Sequence, residues 1–132
     1  MTIADFDLVL FGGSGDLAMR KLLPAMYARD RAKDLPPKAR IVCVGRHEWS
    51  QDEFLDNVNQ NSKPHIAASS FDISLWESFC SRITYVTLDA SDAATYQALV
   101  EAMRNDNTVT RVYYLATPPS LFATICHNLA KV

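Results

Sequence analysis

Short apolar runs alternate along this chain with longer stretches in which apolar residues recur every three or four positions. Asp7–Phe11 is apolar after its first residue, the pattern of a strand buried on both faces. From Asp16 to about Arg31, residues Leu17, Leu22, Leu23, Met26 and Tyr27 fall along one broad side of a predicted helix. Pro24 sits inside that pattern and predicts a kink or a shifted start. Ile41–Val44 reads as a second buried strand, closed by Gly45. Ser50-Gln51-Asp52-Glu53 has the Ser-x-x-Glu form of a capping box, so a helix is expected from there to about Asn61. Lys63–Ser70 is expected to be a loop, and Leu75, Trp76 and Phe79 predict a helix over Phe71–Ser81. Ile83–Leu88 alternates apolar and hydroxyl residues and is rich in β-branched types, which favours a strand. Asp92 or Ser91 is placed to cap a helix running to about Arg104. Val112–Ala116 predicts a fourth strand, broken by Pro118-Pro119, and Ser120–Lys131 a final helix.

Strands alternating with helices imply a parallel sheet with right-handed crossovers. The expected class is α/β: a Rossmann-like, doubly wound parallel sheet truncated after about four strands. That set is the first mononucleotide-binding half plus one strand beyond the switch point. A length of 132 residues fits about one domain, and 48% hydrophobic with 21% charged residues is an ordinary globular composition. The net charge of −2 speaks against a nucleic-acid or membrane-surface partner, both of which need a basic face. No apolar run approaches the roughly 18 residues of a membrane span. The opening Met1-Thr2-Ile3-Ala4-Asp5 carries no basic stretch, so a cytoplasmic location is expected. Cys43, Cys80 and Cys126 are odd in number and widely spaced, which suits reduced thiols better than a disulfide framework or a zinc site. The fourth strand is expected to leave an open edge, with self-association as its consequence.

The chemistry gathers where the first strand ends. Gly12, Gly15 and Ala18 form a G-x-x-G-x-x-A turn between strand and helix. Gly12 lets the strand turn sharply, Gly15 lets backbone approach a ligand, and Ala18 lets the helix pack closely on the sheet. Gly13, Ser14, Asp16 and Leu17 complete the turn, whose free N–H groups and helix dipole suit a pyrophosphate. Ser14 adds a hydroxyl donor. Asp16 is expected to cap local N–H groups and point aside. Arg20 and Lys21 follow about a turn later, where a bound anion would account for cations near a helix start. At the end of the second strand, Val44-Gly45-Arg46-His47 offers an arginine where a ribose 2′-phosphate would lie, because guanidinium grips phosphate bidentately. His47 is a second donor there.

These residues carry a family likeness. Phe11-Gly12-Gly13-Ser14-Gly15-Asp16-Leu17-Ala18, followed by Arg20-Lys21-Leu22-Leu23-Pro24-Ala25-Met26-Tyr27, resembles the N-terminal signature G-A-S-G-D-L-A-x-x-K-L-x-P-x-L-Y of glucose-6-phosphate dehydrogenases. Val44-Gly45-Arg46 and Tyr114-Leu115-Ala116-Thr117-Pro118-Pro119-Ser120-Leu121-Phe122 match later landmarks in the same order. The resemblance implies an NADP-linked oxidation of glucose 6-phosphate to 6-phosphogluconolactone in the pentose phosphate pathway, with NAD as a possible second cofactor. It implies that Gly12–Ala18 and Arg46 hold the cofactor, that Asp89-Ala90 lie near the adenosine, and that Thr117 and Pro118 approach the nicotinamide side. Gly13 and Phe122 depart from the commoner residues without disturbing the phosphate-binding logic.

The family's E-K-P segment, its R-I-D-H-Y-L-G-K segment and its histidine general base have no counterpart in these residues. His47, His65 and His127 read as surface or structural histidines, and Asp5/Asp7 and Glu101/Asp106 as solvated or capping groups. No catalytic residue is assigned, and the chain alone is expected to bind NADP without turnover. Two other readings stand beside this one. A short NADP-dependent reductase or epimerase would need a Tyr-x-x-x-Lys base, and Tyr96, Tyr113 and Tyr114 have no lysine four residues on. A non-enzymatic nucleotide-binding module stays open at this point.

Overall fold

A computed structural model of the chain describes residues 4–106 and 108–132. The expectation about a leader at Met1–Ile3 lies outside the described residues. Four strands, β1 (Phe6–Phe11), β2 (Arg40–Gly45), β3 (Ile83–Thr87) and β4 (Thr110–Leu115), form one sheet in the order β3-β2-β1-β4. All pairings are parallel, with Leu10 opposite Cys43 and Tyr114, and Cys43 opposite Tyr85. This is the doubly wound arrangement expected from the sequence.

The period-two alternation of each strand decides which helices it meets. Leu10, Ile41, Cys43, Ile83 and Tyr85 face α1 (Leu23–Arg31), α2 (Gln51–Asn61) and α3 (Ile73–Cys80). They pack there against Leu23, Tyr27, Phe54, Val58, Trp76 and Phe79. Val9, Phe11, Val42, Val44 and Val86 point the other way, onto Tyr96 and Leu99 of α4 (Tyr96–Ala102) and Ile125 of α5 (Phe122–Leu129). Both faces of β1 and β2 are therefore buried, which is why these strands read as unbroken apolar runs. At about 25 cal/mol per Å² of apolar surface, this double burial is the principal stabilising term.

The helix boundaries differ from the sequence expectations for local reasons. Ser50 makes both halves of its capping box, accepting from Glu53 N–H at 3.1 Å while the Glu53 carboxylate accepts from Ser50 N–H at 3.1 Å. The segment expected as one helix from Asp16 instead contains a π-helical turn, Ala18–Leu22, ahead of α1. Pro24 has no N–H to give an acceptor four residues back, and Leu23 N–H reaches Ala18 carbonyl, five residues back. Lys63–Ser70 folds as two short 3₁₀ turns, not an irregular loop. Asp72, not Phe71, opens α3 by accepting from Leu75 N–H. Asp92 does cap, but it caps a 3₁₀ turn (Ala93–Thr95), and α4 stops at Ala102. A further 3₁₀ turn, Pro119–Leu121, precedes α5.

Asp7 is the clearest correction. It was expected to be solvated or capping, yet it is 1% exposed and lies inside an ion pair. Arg104, just past α4, donates to its carboxylate through Nη2 at 2.6 Å and Nε at 2.9 Å, and Arg40 Nε lies 3.6 Å away. Burial pushes the Asp7 carboxyl up, but the hydrogen bonds and charge of Arg104, with Arg40 behind them, more than offset this and leave it below its ordinary value. By contrast, Asp106 caps as expected, accepting from Thr108 N–H and Oγ1.

Arg104→Ala strips the main partner from a buried charge and should cost about 3 kcal/mol in urea unfolding. Because the folded carboxyl is the stronger acid, its contribution is complete above the unfolded value near pH 4 and is lost as the pH falls through the lower folded value. An acid titration of wild type should therefore show a stability loss below about pH 4 that is reduced in Arg104→Ala.

Candidate nucleotide-binding site

The turn after β1 is fixed by one carbonyl. Val44 O, near the end of β2, accepts from both Gly12 N–H at 2.9 Å and Gly13 N–H at 3.0 Å. Gly12 has φ +80°, and an added β-carbon would collide with the Ala116 carbonyl oxygen past the end of β4. A β-carbon on Gly13 would come within 2.6 Å of Cys43 Cβ. These two glycines thus serve packing, and their amides are spent inside the protein. Gly15 N–H returns to Gly12 carbonyl at 2.9 Å, closing the turn.

The next three amides have no backbone acceptor among the described residues. The first helical hydrogen bond runs from Met19 N–H to Gly15 carbonyl at 3.1 Å. The N–H groups of Asp16, Leu17 and Ala18 therefore open the helix with no preceding turn to bond. Gly15, Asp16 and Leu17 are exposed, whereas Ala18 is fully buried against the sheet, as its small size required. The Asp16 side chain does not cap these amides. It pairs with Arg20 Nη1 at 3.3 Å, an exposed i,i+4 contact that leaves the helix mouth clear. Lys21 is exposed one residue further on.

The ends of the other strands frame this mouth. Arg46 is exposed and makes no hydrogen bond or ion pair among the described residues. His47 follows it, with Nδ1 3.2 Å from Ser14 Oγ and its ring stacked on Trp49 at 4.2 Å and 8°. The His47 carbonyl accepts from Tyr85 Oη at 2.6 Å and Thr87 Oγ1 at 2.9 Å. Burial pushes the Tyr85 hydroxyl up, so it stays protonated and donates; hydrogen bonds with Ser14 and Thr87 offset part of that shift. On the opposite flank, the Thr117 hydroxyl is buried without a partner beside Gly12. Pro118 is exposed next to it.

Asp89 and Ala90 are occupied structurally. Asp89 Oδ1 accepts from Ser91 N–H, and Ala90 carbonyl accepts from Tyr96 Oη at 2.9 Å and Asn128 Nδ2 at 3.0 Å. Their place past β3 is the expected one, but Ala90 turns its polar group inward. All the sequence-chosen residues thus lie along the C-terminal edge of the sheet, where β1 and β4 meet at the switch point. A larger cleft of about 1170 Å³ lies at the other end, between Met26 and Val112, and holds none of them.

Some features of the site were not recognised in the sequence. Gly45 is one: a β-carbon there would collide with Ser14 Oγ. Tyr85 and Trp49, which hold the His47 loop, are two more. Only Gly45 had a usable signal, as the residue closing the second strand.

Open backbone donors at a helix start, a free cation at the end of β2 and an unpartnered buried hydroxyl at the switch point fit a dinucleotide with phosphate groups at two places. Fold and site together define a nucleotide-binding α/β domain of the doubly wound class. Residues 9–132 match the model of the family described as glucose-6-phosphate dehydrogenase, NAD binding domain. Glucose-6-phosphate 1-dehydrogenase of Dickeya dadantii is 36% identical over 125 residues, which is 95% of this chain and 25% of that protein. The enzyme of Gluconobacter oxydans is 36% identical over 131 residues, 98% of this chain and 27% of the relative. The crystal structure of glucose-6-phosphate 1-dehydrogenase from Mycobacterium avium superposes with a TM-score of 0.84 at 33% identity, over 97% of this chain and 27% of that one. A glucose-6-phosphate dehydrogenase in complex with glucose 6-phosphate gives 0.82 at 27% identity, over 99% and 28%. The chain belongs to the glucose-6-phosphate dehydrogenase family and spans about a quarter of the length of the curated relatives it matches.

The turn is intolerant of side chains at Gly12. Gly12→Ala combines a left-handed backbone with a collision against a backbone oxygen and should cost about 3 kcal/mol. Gly15→Ala, which would meet only Gly12 O at 3.2 Å, should cost far less. Urea midpoints of the two variants check the contrast.

Proposed function

We propose that this chain is the N-terminal, NADP-holding part of a glucose-6-phosphate dehydrogenase. The whole enzyme would oxidise glucose 6-phosphate to 6-phosphogluconolactone, and sugar binding and proton abstraction would fall to segments matching the rest of its relatives. The observation that carries this is Arg46, exposed at the end of β2 and unpaired among the described residues, beside a helix start whose first amides have no backbone acceptor. The amides of Asp16, Leu17 and Ala18 would hold the pyrophosphate, with Gly15 allowing close approach and Ser14 adding its hydroxyl. Arg46 would grip the 2′-phosphate bidentately. Asp89 and Ala90 would flank the adenosine, and Thr117 and Pro118 the nicotinamide side, where the Thr117 hydroxyl gains a partner. The bound cofactor supplies the hydride acceptor. With no general base assigned here, the chain alone is proposed to bind without turnover.

Its partners are then NADP and, in the whole enzyme, glucose 6-phosphate, in a cytoplasmic setting and without nucleic acid. Among the described residues no helix is long and apolar enough to cross a membrane. The short-reductase reading loses its ground to the family match. Self-association is proposed through β4, an edge strand that exposes Val112, Tyr113 and Tyr114. A stable monomer by gel filtration at high concentration would contradict that part.

Calorimetric titration with NADP and NAD tests the assignment. Arg46→Ala removes charge-assisted bonds of about 1.5–3 kcal/mol, so NADP should weaken about 10- to 100-fold. NAD should be nearly unaffected; equal losses for both would end the Arg46 assignment.

A further inference from the structure

Resting on the proposed NADP reading, we infer that Tyr85 and Thr87 set the preference for a 2′-phosphate by fixing the backbone that presents Arg46. Both hydroxyls donate to one acceptor, the His47 carbonyl, Tyr85 Oη at 2.6 Å and Thr87 Oγ1 at 2.9 Å. They stand two residues apart on β3, and so on the same face of the sheet. On the other side of Arg46, the Gly45 carbonyl accepts from Leu88 N–H at 2.8 Å. Arg46 therefore sits between two carbonyls held by β3 and the residue after it. Its own side chain is exposed and makes no hydrogen bond or ion pair among the described residues.

The holding groups are themselves fixed. The Tyr85 ring stacks on Phe54 at 4.6 Å and 15°, and the Tyr85 N–H donates to Gln51 Oε1 at 2.9 Å. Gln51 Nε2 donates to the Ile83 carbonyl at 2.7 Å, so one side-chain amide grips the outer edge of β3 as a neighbouring strand would. The His47 ring lies flat on Trp49. A guanidinium on a loose loop binds less tightly, because loop and side chain must both be ordered when the ligand arrives. Here the backbone is ordered on folding, and only the Arg46 side chain remains to be ordered. The benefit goes to the one group that Arg46 meets, the 2′-phosphate that separates NADP from NAD.

The test is calorimetry with NADP and with NAD, and its readout is the ratio of the two affinities. Tyr85→Phe keeps the stacked ring and Thr87→Val the branched shape, and each removes one donor. Tyr85 also meets Ser14, on the turn that serves both cofactors. Any loss by that route weakens both alike and cancels in the ratio. The double variant should lower the NADP preference about three- to tenfold, the scale of one or two net hydrogen bonds. Thr87→Val alone should lower it about twofold, and carries the test if the double variant does not fold. Thr87→Ser keeps the hydroxyl and should leave the ratio unchanged. In an Arg46→Ala background none of these substitutions should move the ratio, because the side chain they position is gone. If they leave the ratio unmoved in wild type, or lower it equally with and without Arg46, the role of the two hydroxyls is wrong and the cofactor reading stands. If wild type binds NADP no better than NAD, the cofactor reading fails and takes this inference with it.

Discussion

A single carbonyl oxygen organises this molecule. Val44 O takes two successive N–H groups from the end of β1, and so ties the turn after one strand to the end of its neighbour. Two hydrogen bonds to one acceptor fix where the chain leaves the sheet and therefore where the following helix begins. The bond pair is possible only because no β-carbon intrudes: Gly13 lies against Cys43, and Gly12 lies under the Ala116 carbonyl. The amides that follow are left without backbone acceptors. A side chain at either position would move the helix start as well as destabilise the turn.

The two ends of the sheet are treated differently. At the N-terminal end, charge is buried in pairs, with Asp7 held by Arg104 and, at 3.6 Å and without a hydrogen bond, by Arg40, and Arg82 bound to Asp30 at 3.1 Å and to the Pro36 and Ala39 carbonyls at 2.8 Å. These contacts tie helix ends and crossover loops to the strands. At the C-terminal end, donors are left open: three amides, one guanidinium and one hydroxyl. Unanswered polar groups cost stability wherever water cannot reach them.

Much of this was legible in the sequence, and the exceptions are instructive. Element order, sheet type and the phosphate turn follow from period, glycine spacing and the capping box, because each is set by neighbouring residues. Asp7 was misread because its partner, Arg104, lies far along the chain and meets it only through the β1–β4 pairing. The π-helical turn was half visible: Pro24 signalled a disturbance, but not that the chain would absorb it by a wider hydrogen-bonded turn. Asp16 was assigned a capping role on position alone, and the arginine one turn later took it instead. The Ser14–His47 contact joins two strand ends and carries no local signal. What sequence pattern conveys here is local geometry. What it withholds is the partner of each charge.

The placement of β1 between β2 and β4 has a consequence for how the chain assembles. β1 meets β2 after one crossover, yet its other edge pairs with residues about a hundred positions later. During synthesis the phosphate turn is made early, but the strand that bears it stays half-paired until Leu115 has emerged. Until then the chain displays its most apolar strand with one flank bare, where chaperones that recognise extended apolar segments would find it.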